Sequence, residues 1–379
     1  MLEDFWDDTH KALKASIDGW VASHISPFAE EWEEAQHMPD DLFREAGDAG
    51  ILGIGYPEEV GGSGGDIFHS LLAVESLIRG GSTGAAVTLG IHAIAIPPIL
   101  ALGDPDQRER FIPSVIRGEK VACLAVTEPG AGSDVAGIRT TAVRAGDEYV
   151  INGSKTFITA GTRADFITLL ARTSEDPHGG LTFFVVPKES PGFSVGRNLK
   201  KMGWWASDTA ELFFDDCRIP IANRLSDEGS GFLGAMANFA NERLVLAANC
   251  IAIAQLALDA SIVHAKERTA FGKPVAGFQV TRHKLAEMAT ELFASRSLVS
   301  TVAVRHSQGQ NVMVDAAMAK NQAVKMCSFV TDAAVQIHGG MGYMRESLVE
   351  RLYRDSRLYG IGGGTTEIMR ELIGRHLCD

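Results

Sequence analysis

The chain of 379 residues carries 35 basic against 48 acidic side chains, a formal charge of −13, and has a pI near 5.3. That balance speaks against a nucleic-acid surface, which needs a basic stripe to release counterions. With 45% hydrophobic residues the composition is that of a soluble globular protein, and the length exceeds one ordinary core, so two or three domains are expected.

Residues 1–118 read as helices. Phe5, Trp6, Leu13, Ile17 and Trp20 recur near helical spacing, Pro39 with Asp40 opens a second helix, and the cluster Gly61 to Gly65 precedes a third. From Ser82 to Leu102 the residues are small and apolar with a break at Pro97 and Pro98, the pattern of a buried, kinked helix or helix pair. His92 inside it reads as a satisfied core histidine, because no second ligand stands at i+4 as a metal motif requires.

Between 119 and 224 the period changes. Val121 to Val126 has the apolar, β-branched character of a buried strand, which Pro129, Gly130 and Gly132 end abruptly. Those glycines remove Cβ where something approaches closely, while Thr127, Ser133 and successive N–H groups offer hydrogen bonds to a polar or phosphorylated ligand. Ile138 to Val143, Glu148 to Ile151, Lys155 to Thr159, Phe166 to Ala171, Leu181 to Val186 and Glu211 to Phe214 read as short strands, with Asn152-Gly153 predicting a type I′ hairpin between two of them. A small antiparallel β domain is the simplest reading.

From 225 to 379 the pattern is helical again, with long apolar-periodic runs and few breakers before Gly309 and Gly339-Gly340. Helices of this length bury themselves in a four-helix-bundle-type domain. The expected class is therefore α+β multidomain: helical (1–118), β (119–224), helical (225–379). Leu244 to Val263 is apolar enough to raise a membrane span, but Asn249, Gln255 and Asp259 interrupt it and its alanines suit close helix packing. The five cysteines are widely spaced, without a CxxC pair, so a reduced compartment is expected and no metal site is predicted. The acidic N-terminus, MLEDFWDD, lacks the basic character of a targeting peptide, which makes a cytoplasmic location the expectation.

TEPGAGSD after a helical domain, then NGSKTFIT, ERTAFGKPVAGFQ, QIHGGMGY and GGGTTEI in that order, resemble the motifs of the acyl-CoA dehydrogenase family over nearly the whole chain. The resemblance implies FAD. Leu124, Val126, Thr127, Gly132 and Ser133, with Phe157, Ile158 and Thr159, match segments that line the isoalloxazine ring, Phe157 standing where many members have tryptophan. Arg268, Thr269, Ala270, Phe271 and Gln279 match the segment that holds the adenine and pyrophosphate of a neighbouring subunit's flavin, as do Gln336, Ile337, His338, Gly339 and Gly340. Thr365 and Glu367 match the last flavin contacts. Chemically, Arg268 can neutralise pyrophosphate and the glycine pair lets backbone approach it, although a surface ion pair with Glu267 or another acid is the plain alternative. Ser133, Phe239, Arg243, Gly362, Gly364 and Arg375 match positions near the acyl-CoA.

The family's reaction removes an α proton from an acyl thioester as a hydride leaves the β carbon, and it needs one carboxylate. Many members carry that glutamate just before the GT of the last motif, where this chain has Gly363-Gly364-Thr365. Members resembling long-chain and isovaleryl-CoA dehydrogenases place it instead in an ERLxxA helix, matched here by Glu242 to Ala247. The i±3 and i±4 neighbours of Glu242 are Asn238, Phe239, Val245 and Leu246, none cationic, so its pKa is expected to rise; the alternative is a helix-surface glutamate facing solvent. The second catalytic position is the backbone N–H of Gly363, one of two donors that the family aims at the thioester oxygen.

The resemblance thus implies α,β-dehydrogenation to a trans-2-enoyl-CoA, with electrons passed to an electron-transfer flavoprotein, by a homotetramer; the acidic charge and the interrupted apolar run add the expectation of no nucleic-acid partner and no membrane span. Gly362 and Gly363, where other members carry tyrosine and glutamate, and Gly90 near the pocket floor suggest a 3-methyl-branched or medium-to-long acyl chain. An acyl-CoA oxidase, a DNA-binding branch and a non-catalytic member share the fold. The first is typically longer, the second needs a basic surface, and the third leaves Glu242 without a reason.

Overall fold

The computed structural model describes residues 3–378 apart from His178, Leu233 and 235–237. Helices α1 (Asp8–His24), α2 (Ala29–Ala35), α3 (Asp41–Asp48), α4 (Ile67–Ile78), α5 (Thr83–Leu89), α6 (His92–Ala95), α7 (Pro97–Leu102) and α8 (Pro105–Ile116) come first. Their common core contains Ile17, Val21, Phe43, Leu71 and Leu72. Asp7 and Asp66 open α1 and α4 with capping boxes whose third residues, His10 and His69, stack 4.0 Å apart. With Asp66 these histidines bring possible metal-ligand atoms together, but both rings are committed to the caps, and two converging helix N-termini disfavour a cation.

Among the described residues, eight strands form one sheet: β1 (Ala122–Ala125), β2 (Thr141–Ala145), β3 (Glu148–Thr159), β4 (Phe166–Arg172), β5 (Leu181–Pro187), β6 (Phe193–Asn198), β7 (Thr209–Pro220) and β8 (Arg224–Leu225). The order is β6-β7-β3-β2-β4-β5-β8, with β1 beside β4. Most pairs are antiparallel, but β1 and β2 each meet β4 in parallel, so the sheet is not purely antiparallel. The strand boundaries also differ from those expected. Asn152-Gly153 is no hairpin: it lies inside the single long strand β3, and the β2–β3 turn is Gly146-Asp147. Gly153 stands at a register shift against β7 with φ 149°, where a Cβ would meet Thr140 Oγ1 at 2.5 Å, and Asn152 trades hydrogen bonds with Asp216 instead of turning the chain. Glycine's tolerance of positive φ suits an irregular strand position as well as a type I′ turn, and sequence does not separate them. β6 was not expected, and Glu211 to Phe214 is only the middle of β7.

The last unit consists of α9 (Phe239–Glu267), α10 (Gln279–Ser307), α11 (Met313–His338), α12 (Leu348–Ser356) and α13 (Thr366–Cys378), with a two-stranded hairpin, β9 (Thr269–Ala270) and β10 (Lys273–Pro274), between the first two. The apolar stretch in α9 is long enough to cross a membrane by length and composition, yet it is mainly buried: Leu244, Ala247, Cys250, Ile251, Ala254 and Ala257 show no exposed surface and pack in the bundle core. All five cysteines are free. Polar ties cross the units. Arg163 joins Asp208 of the sheet domain to Asp40 beside α3, each at 2.8 Å, and the Trp204 N–H donates to Asp355 of α12 at 2.6 Å.

Candidate active site

Glu242 lies in the first turn of α9. The residue before that helix, Asn238, donates from Nδ2 to the carbonyl of Ala93 at 3.0 Å, which docks the helix start against the α5–α7 segment. The Glu242 carboxyl is partly buried, and desolvation pushes its pKa above the ordinary range, with Lys320 and then Arg243 pulling it back. It does not face bulk solvent as a surface glutamate. It faces the loop before α13: its Oε1 is 3.2 Å from where a Cβ on Gly363 would stand, and Leu246 Cδ1 would be 2.3 Å from the same point. Gly363 has φ +61° and Gly364 φ +86°, so both occupy backbone conformations that favour glycine.

Beneath this loop is Lys320, a residue that motif reading passes over. Its side chain is 1% exposed, and its ammonium donates to the carbonyls of Gly362 (2.6 Å), Gly363 (3.1 Å) and Gly364. Burial pushes its pKa down to about 8, against the pull of Glu242. A signal was present: the i±3 and i±4 neighbours of Lys320 are Ala316, Ala317, Ala323 and Val324, and a lysine in an apolar stripe needs a buried partner.

The TEPGAGSD loop is set by a second buried ion pair. Lys155 Nζ, fully buried, donates to Glu128 at 2.9 Å and to the Val126 carbonyl at 2.8 Å, while Glu128 also accepts the N–H groups of Arg139 and Thr140. Burial alone would raise the pKa of Glu128, but Lys155 and these donors bring it below the usual value. Glu128 and Ala131 pair across a tight turn, and beyond it the Cβ directions at Gly130 and Gly132 are open. Leu124, Val126 and Thr127 are partly buried; Ser133 is exposed.

Thr127 accepts the N–H of Thr156 at 2.9 Å, which brings this loop beside Phe157. There β3 slips its register against β7 between Lys155 and Ile158. Phe157 is 68% exposed at φ +61°, an uncommon conformation for a bulky residue, so the strand spends strain to present an aromatic ring outward. Ile158 is buried and offers the site only backbone, while Thr159 is partly exposed.

Arg268, Thr269, Ala270 and Phe271 lie on the β9–β10 hairpin, whose turn residues Phe271 and Gly272 both have positive φ. Phe271 is 96% exposed, and the exposed Arg268 has no ion pair among the described residues, so the expected alternative with Glu267 is not formed. Gln279 starts α10 beside it and is exposed. His264 near the end of α9 stacks on His338 at the end of α11, 4.3 Å between ring centres, which places Gln336, Ile337, Gly339 and Gly340 at this same end of the bundle. Glu242 and Arg268 stand at opposite ends of α9, about 39 Å apart along its axis.

The remaining candidates separate. Arg243 is buried, sits over the Phe239 ring and donates to Met313, while its Nε has no partner among the described residues. Arg375 is exposed on α13 and pairs with Glu371 at 2.7 Å. Thr365 caps α13 through the Ile368 N–H, and Glu367 is exposed in its first turn. Gly362 has ordinary clearance, its nearest neighbour being Leu358 O at 3.7 Å from a notional Cβ. His92 departs from expectation: it is buried against Phe43, neither ring nitrogen finds a hydrogen-bond partner among the described residues, and burial pushes its pKa down to about 3, so it is a neutral core histidine.

Three family models match the chain in order: the acyl-CoA dehydrogenase N-terminal domain over 7–119, the middle domain over 123–217 and the C-terminal domain over 229–378. The chain belongs to the acyl-CoA dehydrogenase family. It is 48% identical to a probable acyl-CoA dehydrogenase from Mycobacterium abscessus, with a TM-score of 0.96 over 98% of this chain and 99% of that one. It is 38% identical to the mitochondrial long-chain specific acyl-CoA dehydrogenase of Rattus norvegicus over 99% of this chain and 88% of the relative. A structure solved in work on the electron transferring flavoprotein of Acidaminococcus fermentans is 36% identical with a TM-score of 0.95, covering 98% of each chain. Acyl-CoA dehydrogenases are FAD-dependent oxidoreductases that dehydrogenate acyl-CoA. The residues present fit that cofactor: an outward aromatic ring at Phe157, open glycine backbone at Gly130, Gly132, Gly339 and Gly340, and an unpaired cation at Arg268.

Proposed function

We propose that this acyl-CoA dehydrogenase converts an acyl-CoA thioester to the trans-2-enoyl-CoA with Glu242 as its only base. The observation that carries this is the placement of a partly buried carboxyl with a raised pKa against Gly363, in a chain that has glycine, not glutamate, just before the Gly364-Thr365 of its last motif. Glu242 takes the α proton as its carboxylate. The N–H of Gly363 donates to the thioester oxygen, which makes that proton acidic enough to remove. Bound FAD supplies the acceptor for the hydride from the β carbon.

Leu124, Val126, Thr127, Gly132, Ser133, Phe157, Ile158 and Thr159 would line the isoalloxazine ring, with Thr365 and Glu367 at its edge. The hairpin with Arg268, and Gln336 to Gly340, would hold the far half of a flavin belonging to another subunit. Exposed apolar side chains at this end, Phe271, Val280, Met341 and Tyr343, suit burial by a second copy in a homotetramer. An electron-transfer flavoprotein is the proposed acceptor, a reading supported by the likeness to the Acidaminococcus fermentans structure.

For the acyl group we propose a 3-methyl-branched or medium-to-long chain. The room for a branch lies on the side of Gly362, since Leu246 fills the space beside Gly363. Anaerobic mixing with straight and branched acyl-CoAs tests this through flavin bleaching. A several-fold higher kcat/KM for a 3-methyl or longer chain is expected, and a large preference for butyryl-CoA would overturn it.

A further inference from the structure

The loop Ile361-Gly362-Gly363-Gly364-Thr365 joins two helical segments without regular structure of its own. Three consecutive glycines make it as free as a chain can be in the unbound state, so something must fix it if its backbone is to act. Lys320 does this. An ammonium has three donors, and all three are spent on the carbonyls of Gly362, Gly363 and Gly364.

In a trans peptide the C=O of one residue and the N–H of the next point in opposite directions. Drawing those three carbonyls onto Nζ therefore turns the N–H groups of Gly363, Gly364 and Thr365 away from the lysine. Among the described residues, none of these three N–H groups donates to a protein acceptor. Gly363, unlike Lys320, is exposed. The charge on Nζ has a second effect. Glu242, whose Oε1 is 3.2 Å from the Cβ position of the same Gly363 whose carbonyl Nζ holds, is one of the α9 groups that act on this charge, with Arg243 and Cys250, and the attraction between Lys320 and Glu242 opposes the desolvation of that carboxyl. With every N–H of the lysine committed to the loop, this attraction acts through space, not through a hydrogen bond.

We propose that Lys320 is a positioning residue for the reaction, one ammonium that both aims the loop's N–H donors at the thioester and sets a positive charge behind the Glu242 carboxylate. This rests on Glu242 and Gly363 being the base and the donor. It adds that neither works at full strength without a third residue that touches no reactant. A lysine whose only task was to satisfy buried carbonyls would hold the loop, but its removal would leave the pH response of the base unchanged.

The test compares Lys320→Met and Lys320→Arg with the wild-type holoenzyme, using two readouts. The first is the pH at which a bound 3-ketoacyl-CoA converts to its enolate, read by absorbance; this reports on oxygen-directed donors without needing turnover. The second is the acid limb of kcat/KM. Lys320→Met should move enolate formation to higher pH, with roughly 10-fold to 100-fold less enolate at a fixed pH, and should also move the acid limb upward because Glu242 loses its facing cation. Lys320→Arg keeps the charge but presents a planar fork, so the acid limb should stay near wild type while enolate formation is impaired. If Lys320→Met does not retain FAD, the Arg variant carries the test, and wild-type enolate formation in it would overturn the aiming role. Unchanged enolate formation and an unchanged acid limb in Lys320→Met would overturn the proposal as a whole. Glu242→Gln separates the two levels: normal turnover in that variant refutes the assignment of the base, whereas lost turnover beside an inert Lys320 refutes only the inference about the lysine.

Discussion

Glu242 and Gly363 meet face to face: the carboxylate oxygen Oε1 stands 3.2 Å from the point a Cβ on the glycine would occupy. A carboxylate carried on the loop would therefore enter the space that the helix carboxylate now fills. Glu242→Gly should abolish turnover, and the double variant Glu242→Gly with Gly363→Glu should recover part of it, shifted toward straight chains. Recovery will be incomplete for two reasons. Leu246 Cδ1 would lie 2.3 Å from the new Cβ, and a glutamate at φ +61° carries about 1 kcal/mol of backbone strain or more. Adding Leu246→Ala should raise the recovered rate, measured as kcat/KM on the straight and branched panel.

The raised pKa of Glu242 has a definite sign in kinetics. The group acts as a base only when ionised, so kcat/KM should rise with pH through its folded value, and that limb should lie above the ordinary carboxylate range because burial disfavours the charge. A profile already flat at pH 4 would contradict this. Glu128 behaves in the opposite way. Its pKa is depressed, so its contribution to stability is present above the unfolded value of about 4.5 and is lost as pH falls through the lower folded value.

Phe157 combines a positive φ with an exposed ring, strain that a flavin contact would explain. Phe157→Gly should relieve the positive φ and leave apo-protein as stable as wild type or more so by up to about 1 kcal/mol, read from urea denaturation. The same change should weaken FAD retention, since the outward ring is lost. Equal loss of apo stability and FAD would place Phe157 in the core instead.

Lys155 and Glu128 form a buried pair in which one partner cannot be removed cheaply. Lys155→Met should cost about 3 to 5 kcal/mol in denaturant unfolding and lower flavin content, because the Val126 carbonyl and the turn at Pro129-Gly130 lose their anchor. A cost below about 1 kcal/mol would show the pair to be solvent-screened.

Much of this was legible in sequence, and the failures have physical causes. The helical, β, helical order followed from periodicity, whereas Glu242 was reached through its ERLxxA resemblance, with helix neighbours that lack cations as support. Asn152-Gly153 misled because positive φ serves an irregular strand position as well as a turn. β6 escaped because FSVGRN is a half-exposed edge strand with a weak apolar alternation. The apolar stripe around Lys320 signals that it is buried, but its role was missed because its partners are carbonyls more than forty residues away, which no local spacing encodes. His92 was expected to be satisfied, since sequence cannot tell whether a buried ring finds a partner.

The separation of Glu242 from Arg268, about 39 Å along α9, bears on assembly. If each flavin is held by two chains, Glu242→Gln and Arg268→Glu should each be inactive alone, the second through loss of FAD. Co-expressed as mixed oligomers they should regain activity, because some sites then draw an intact Glu242 from one chain and an intact Arg268 from the other. No recovery in verified hybrids would mean that each chain builds its site alone.

The most direct test of the account is the reductive half-reaction of Glu242→Gln, followed anaerobically by flavin bleaching with the best acyl-CoA substrate. Glutamine keeps the size of the side chain and most of its packing but has no proton affinity to offer. The account predicts wild-type FAD content and substrate binding with a bleaching rate lower by roughly 10² to 10⁴. A bleaching rate equal to wild type would contradict it, and the base would have to be sought in another acid.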